Sequence, residues 1–343
     1  MSGVEVPGSD NMRFIDVHNH FYPREYLLLV KSIGSAVRVT EDADGNPQVH
    51  YPGDYNVVVK GHRDIEYRQR VLEQEDVALQ VLSFTTPGTH VEAPATALSL
   101  ARSINDAFAS IIAARPARFS ALANLPLNDP QASVVELERA VRELRLPGAM
   151  IFSNVNGIPL SSERYWPLYE RANDLDAVLY IHPTYPVGVE SMLDFWLMPL
   201  LGFPFDTTLA ISKLVLTGIL DRYPRIKWVL GHLGGTIPFL AERLDRGFHA
   251  FRECRTHIDR PPSEYFKRCY FDTVNFDDAA LALALAFAGP RQLLAGSDYP
   301  HLIGSIPMMR AGVERLPASD EVKAQIAGGN AARIFGLAGS AAG

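Results

Sequence analysis

Cysteine is nearly absent: Cys254 and Cys269 are the only two thiols in 343 residues. They offer no disulfide framework and no CxxC pair, which argues for a reducing compartment and against a cysteine-rich zinc module. An excess of positive charge is missing too. The 32 Lys and Arg face 39 Asp and Glu, leaving a formal charge of −7. A chain without a basic bias is a poor partner for nucleic acid or an anionic membrane. No apolar run reaches the roughly 20 residues of a bilayer span. The longest, near 279–288 (AALALALAFA), reads as a buried helix. Residues 1–13 have neither the basic start nor the apolar stretch of a secretory signal, so a flexible arm over 1–12 and a cytoplasmic protein are expected. The GxGxxG turn of a dinucleotide-binding sheet is also lacking after the first predicted strand.

What is present is an ordinary globular composition, 47% hydrophobic and 21% charged. Short unalternating runs at 13–17, 78–84, 119–125, 148–152, 177–181, 227–231, 269–273 and 292–296 have the pattern of strands buried on both faces. Helical periodicity fills the gaps. Asp129-Pro130 is an N-cap and first-turn pair for a stripe of Val134, Leu137, Val141 and Leu144. A second helix is predicted from Phe205 to Tyr223, stopped by Pro224, and a third carries Ile237, Leu240, Leu244, Phe248 and Phe251. Eight strands alternating with helices give an α/β protein, either doubly wound or a (β/α)8 TIM barrel. The missing glycine turn and the polar residues at the ends of several strands favour the barrel. The expected organisation is one domain over 13–337 and a flexible tail over 338–343. A small insertion at about 24–62 follows strand 1, with a hairpin turn at Asp44-Gly45-Asn46, and a long loop at 183–204 follows strand 5.

The chemistry gathers at the strand ends. His18 and His20 are two residues apart and can share a face. His182 ends strand 5, His232 follows strand 6, and Asp298 follows strand 8. Nitrogen and oxygen donors converging from one end of a barrel suit a catalytic divalent ion, with zinc the default and manganese or iron admissible.

The segments IDVHNHFYP (15–23), DVALQVLS (76–83), NVNGIPL (154–160), YIHP (180–183), GHLGGTIPFLAERL (231–244), GSDYPH (296–301) and NAARIFGL (330–337) cover nearly the whole chain. Together they resemble the amidohydrolase superfamily, in the branch of 2-amino-3-carboxymuconate 6-semialdehyde, γ-resorcylate, 5-carboxyvanillate and 6-methylsalicylate decarboxylases. The resemblance implies that His18, His20, His182 and Asp298 hold the metal while His232 acts as general base or acid. It also implies a non-oxidative decarboxylase; a hydrolase of a lactone, ester or amide on the same site is the alternative, and a non-catalytic metal-stabilised barrel is disfavoured because the ligands leave a coordination position open. Segment 148–154 has no lysine to bridge two ions, so a single ion is expected.

Trp196 and Arg243 match, by their spacing from His182 and His232, residues that contact substrate in that branch, Arg243 across a dimer interface. The implied assembly is therefore a homodimer or a higher homo-oligomer. Phe84 is a further candidate pocket residue. Asn56 stands where a second substrate-binding arginine is expected, Lys60 and Arg63 being out of register, and Pro183-Thr184-Tyr185-Pro186 also departs from the branch pattern. An aromatic or related monocarboxylic acid is accordingly the expected small-molecule partner. His50, His62, His249 and His257 are expected to be exposed or capping. His90 and His301 fall within reach of the pocket mouth without an assigned role, and both cysteines are expected to be small buried residues.

Overall fold

The computed structural model describes residues 12–51 and 54–337. Apart from Met12, the expected flexible arm and tail lie outside the described residues. All eight expected strands form: β1 Phe14–Asp16, β2 Val77–Leu82, β3 Phe119–Ala121, β4 Gly148–Phe152, β5 Val178–His182, β6 Lys227–Leu230, β7 Tyr270–Asp272 and β8 Leu293–Leu294. They pair in parallel in chain order, β1 to β3 as one group and β4 to β8 as another. A parallel bridge between Ala123 and Ala149 joins β3 to β4. The Val17 N–H donates to the Ala295 carbonyl at 2.9 Å, and the Ser297 N–H to the His18 carbonyl at 3.1 Å, bringing β8 back to β1. The fold is a (β/α)8 barrel.

The unalternating sequence of the strands follows from this closure. Ile15, Val17, Leu79, Val81, Leu122, Met150, Val178, Tyr180, Val229 and Leu294 fill the interior. Residues of opposite phase, such as Leu179, Ile181, Leu230 and Phe271, pack outward against the helices. Those helices are α1 Ile65–Gln74, α2 Pro94–Ala114, α3 Pro130–Arg142, α4 Trp166–Asp174, α5 Phe203–Leu216, α6 Ile237–Ala250, α7 Asp278–Ala288 and α8 Ile306–Arg315. Asp129 caps α3 as its sequence predicts, accepting from the Ala132 N–H at 3.0 Å.

Three local expectations are corrected. The helix expected over 205–223 is broken: α5 stops at Leu216, Gly218 turns the chain at φ +75°, and a separate turn spans Ile219–Arg222. A Cβ at Gly218 would lie 2.7 Å from the His257 carbonyl, so a side chain has neither the space nor the conformation there. The alanine-rich α7 is not buried all round. Only Leu281 and Ala284 are sealed, because an outer-ring helix needs only one stripe against the barrel. Phe251 lies beyond the end of α6 and is exposed. A π-helical turn, Met198–Gly202, leads directly into α5. The resulting apolar helix, Met198–Leu216, is 19 residues long and half-buried against the fold.

The insertion contains the expected hairpin, Arg38–Glu41 paired with Pro47–Tyr51. The Asp42 carboxylate accepts from the Asp44 and Asn46 N–H groups at the turn. A third strand, Asp54–Val57, and a helix, Arg24–Ser32, were not legible in the sequence. The insertion is bound firmly to the barrel: Asn56 Nδ2 donates to the Thr86 carbonyl at 2.7 Å and to the Tyr22 hydroxyl at 2.8 Å.

Candidate metal centre

Three imidazoles are aimed by their back hydrogen bonds. His18 Nδ1 donates to the Asp272 carboxylate at 2.6 Å. His182 Nδ1 donates to the Pro183 carbonyl at 2.7 Å. Ser83 Oγ gives its proton to the Asn19 carbonyl and is left as an acceptor for His20 Nδ1 at 3.2 Å. In each ring Nδ1 is thereby engaged and Nε2 is turned toward the centre, the nitrogen that would ligate a metal, with His20 Nε2 facing Asp298 Oδ1. The potential ligand atoms of His18, His20 and His182 lie within 4.8 Å of one another, as do those of His18, His232 and Asp298. Asp298 Oδ1 is 3.1 Å from His20 Nε2 and 3.5 Å from His18 Nε2.

The His18 Nε2 is the decisive atom. It is buried and has no hydrogen-bond partner, an arrangement that costs about 1–3 kcal/mol unless something outside the chain satisfies it. A divalent ion fits that need. Burial, reinforced by neighbouring imidazoles, holds His20 down at about 3 and His182 well below the ordinary imidazole range, so both offer neutral nitrogens at neutral pH. Burial works against ionisation of Asp298, but its contacts with His20, His232 and His18 keep it well below the usual carboxylate range. His20, His182 and Asp298 are therefore deprotonated as metal binding requires, whereas for His18 burial is outweighed by the Asp272, Asp298 and Asp16 carboxylates, which raise it, so that an ion binding there displaces a proton.

Asp272, to which the sequence reading gave no role, organises the centre. Besides His18 Nδ1, its carboxylate accepts the Tyr180 hydroxyl and the N–H groups of His232 (3.1 Å), Leu233 (2.9 Å) and Val274 (3.0 Å). His232 and Leu233 have φ of +52° and +57°, a left-handed conformation that is uncommon for side-chain-bearing residues and for β-carbon-branched or bulky ones carries strain. Asp272 thus both orients a candidate ligand and pins the loop that carries His232. The sequence signal was an acidic residue at the carboxyl end of a barrel strand, the same signal that marked Asp298.

A second buried network positions β1. Arg68 is fully buried and donates to Asn19 Oδ1 (2.7 Å), Gln80 Oε1 (3.0 Å), the Gly61 carbonyl (3.0 Å) and the His20 carbonyl. Gln80 and Ser297 both donate to Asp16, linking this network to the Asp298 loop. The Asp298 N–H itself bonds the His18 carbonyl at 2.7 Å. Gly296 permits this approach, since a Cβ there would sit 2.9 Å from the His18 Cβ.

The family profile described as Amidohydrolase matches residues 15–337. The chain belongs to the amidohydrolase family. It is 32% identical over 329 residues to 2-amino-3-carboxymuconate-6-semialdehyde decarboxylase of Dictyostelium discoideum, covering 94% of this chain and 91% of that one. It is 31% identical over 332 residues to 6-methylsalicylic acid decarboxylase of Penicillium expansum, covering 94% and 96%. A crystal structure of dihydroxybenzoic acid decarboxylase from Polaromonas sp., with bound manganese and the inhibitor 2-nitroresorcinol, superposes with a TM-score of 0.80 at 26% identity, covering 95% of this chain and 97% of that one. The protein is an enzyme of this decarboxylase branch, a carboxy-lyase with a divalent metal site.

The other sequence candidates are placed unevenly in this amidohydrolase. Phe84 is sealed, with its ring 4.6 Å from that of Tyr26 and 5.0 Å from that of Tyr22, so it packs the insertion against the barrel rather than forming an open pocket wall. Trp196 is 57% exposed at φ +58° and stands 6.1 Å from the Tyr55 ring, where the loop after β5 meets the insertion. A small cavity of about 220 Å³ opens between them. Arg243 is exposed on α6, and no ion pair forms to it among the described residues. Asn56 is committed to Thr86 and Tyr22; Lys60 faces Asp64, and Arg63 donates to the Val58 carbonyl and Asn46.

His62, expected at the surface, is 1% exposed because the short helix Lys60–Arg63 folds inward over β1. His301 lies 4.9 Å, ring to ring, from His20. His90 is buried against Phe152. Phe203, which the sequence did not single out, lies 6.4 Å from His182 and 6.5 Å from His232 and adds an aromatic wall. Cys269 is buried as expected, whereas Cys254 is only half-buried.

Proposed function

We propose that this chain is a metal-dependent, non-oxidative decarboxylase of a small aromatic monocarboxylic acid, with His18, His20, His182 and Asp298 as metal ligands and His232 as the proton-transfer residue. The observation that carries the reading is the unpartnered, buried His18 Nε2, facing imidazoles whose Nδ1 atoms are already engaged elsewhere. When bound there, a divalent ion supplies Lewis acidity and positive charge to orient and polarise the acid. Three imidazoles and one carboxylate suit zinc by donor type; manganese, present in the Polaromonas structure, is the competing choice. Elemental analysis of purified protein and reconstitution with each ion decide between them.

His232 stands with Nε2 3.8 Å from Asp298 Oδ2, on a loop pinned by Asp272. In the reaction a proton is added to the ring carbon bearing the carboxylate. The carbon–carbon bond then breaks, its electron pair restores the aromatic ring, and carbon dioxide leaves. His232 and Asp298 would move that proton. The monocarboxylic preference is supported by Asn56 standing at the second arginine position and by the engagement of Asn56, Lys60 and Arg63 with other groups among the described residues.

The domain is proposed to span 13–337 as one unit in a reducing cytoplasm, consistent with two unpaired thiols. We place a homodimer contact on the exposed apolar side chains Leu193, Phe195, Trp196, Leu200, Phe205 and Phe239, with Arg243 and Trp196 reaching substrate at that contact. Light scattering of the purified protein tests the assembly. For the activity, metal-loaded protein is assayed against a panel of hydroxybenzoates and lactones. Carbon dioxide release from an acid supports decarboxylation, whereas ring opening of a lactone without carbon dioxide release overturns it.

A further inference from the structure

His301 lies three residues past Asp298, in the loop between β8 and α8. One of its ring nitrogens and the ligand atoms of His20 and Asp298 all fall within 4.8 Å of one another, the same closeness that groups His18 with His20 and His182. The backbone puts it there. The His301 N–H donates to the Asp298 carbonyl at 3.0 Å and the Gly304 N–H to the His301 carbonyl at 3.0 Å, so the loop folds back over Asp298. Glycine alone fits at the end of that turn, since a Cβ at Gly304 would sit 2.1 Å from the Asp298 carbonyl oxygen. The His301 ring lies 4.9 Å from that of His20 and 5.0 Å from that of His62, and neither of its nitrogens is hydrogen-bonded among the described residues. His18, His20, His182 and Asp298 are buried, whereas His301 is half-buried, so it stands where the group meets solvent. An imidazole nitrogen uncommitted to the chain, beside a second imidazole and a carboxylate, is a donor suited to the ion those two hold.

We infer that His301 is a fifth ligand to the divalent ion in the substrate-free protein, approaching from the solvent side of the His20 and Asp298 pair. The inference rests on the ligand set proposed above and deepens it. The other three histidines are fixed by Nδ1 contacts to Asp272, Ser83 and Pro183. His301 has no such anchor among the described residues, so its ring is held by His20 and His62 alone and is free to turn onto the ion. Manganese is the probe of choice, because a six-coordinate shell has room for five protein donors and an acid, whereas zinc prefers four ligands.

The test is a crystal structure of the substrate-free, manganese-loaded protein, with the ion located by its anomalous scattering, together with chelator competition for manganese on wild type and His301→Phe. A His301 nitrogen is expected at roughly 2.0–2.3 Å from the ion, a bonding distance. His301→Phe, which keeps a ring against His20 and His62, should lose about tenfold or more in manganese affinity. The thermal midpoint of the metal-free proteins separates that loss from a folding defect, and the wild-type structure decides the matter even where the variant does not fold. The inference is overturned if both His301 nitrogens stand more than about 3 Å from the bound ion. It is equally overturned if the folded variant holds manganese within about twofold of wild type, since either result assigns His301 to packing. The ligand set beneath it fails separately, by an ion that the structure places away from His18, His20, His182 and Asp298.

Discussion

Replacing Asp272 with Asn should damage the metal site without touching a proposed ligand. The carboxylate accepts five donors: His18 Nδ1, the Tyr180 hydroxyl and three backbone N–H groups. An amide has one acceptor oxygen. If that oxygen serves Leu233 and Val274, the NH2 group faces the His232 N–H and the Tyr180 hydroxyl and pushes the His18 proton from Nδ1 to Nε2, where it blocks the lone pair. In the opposite flip, the NH2 meets the Leu233 and Val274 N–H groups. Either way at least two buried donors lose an acceptor, at about 1–3 kcal/mol each. Loss of a carboxylate behind a ligating histidine also weakens metal binding by about 10- to 100-fold.

The two effects are separable. Urea unfolding of metal-free protein reports the first, with an expected loss of about 2–6 kcal/mol, and chelator competition reports the second. Burial works against ionisation of Asp272, but its contacts with His18, His232 and Tyr180 leave it below the usual carboxylate range. Its folded-state value is thus depressed, and the stability it contributes is present above the unfolded value of about 3.9 and disappears as pH falls through the folded one. The gap between wild type and variant should therefore be full at pH 7 and shrink below about pH 4. A metal-free variant as stable as wild type, with metal affinity within about twofold, would refute the role given to Asp272.

Four further outcomes are expected. His232→Ala should retain metal while abolishing turnover, and metal loss as large as that of Asp298→Ala would move His232 into the ligand set. Arg243→Ala should raise KM for a carboxylate substrate by about tenfold or more, the worth of a charged hydrogen bond; an unchanged KM removes it from the substrate contact. Arg68→Met should lower stability in urea by about 3 kcal/mol or more, because four buried acceptors lose their donor, whereas a loss under about 1 kcal/mol would show that water replaces the guanidinium. Burial pushes the Cys269 thiol up to about 12, so a thiol reagent should titrate Cys254 alone in native protein and both cysteines in denaturant; rapid reaction of two thiols in native protein contradicts that burial.

The barrel, and the strand-end residues that meet at its candidate metal centre, were legible in local sequence pattern. Unalternating strands such as AVLYI (177–181) require burial on both faces, and polar residues at strand ends fall on one rim once the strands are parallel. That periodicity is local, and so His18, His20, His182, His232 and Asp298 were legible. Its limit was reached wherever a residue's role depends on a partner far along the chain. Asp272 reads like any strand-end acid until His18, 254 positions away, donates to it. His62 reads as a surface histidine until the insertion folds its helix inward against His301. Phe84 has the composition of a pocket wall, and only Tyr22 and Tyr26 make it a packing residue. Hydrophobic period specifies which face of an element is buried; which polar groups then meet across the barrel mouth, and which are left for a ligand to satisfy, is decided by closure of the eight strands in three dimensions.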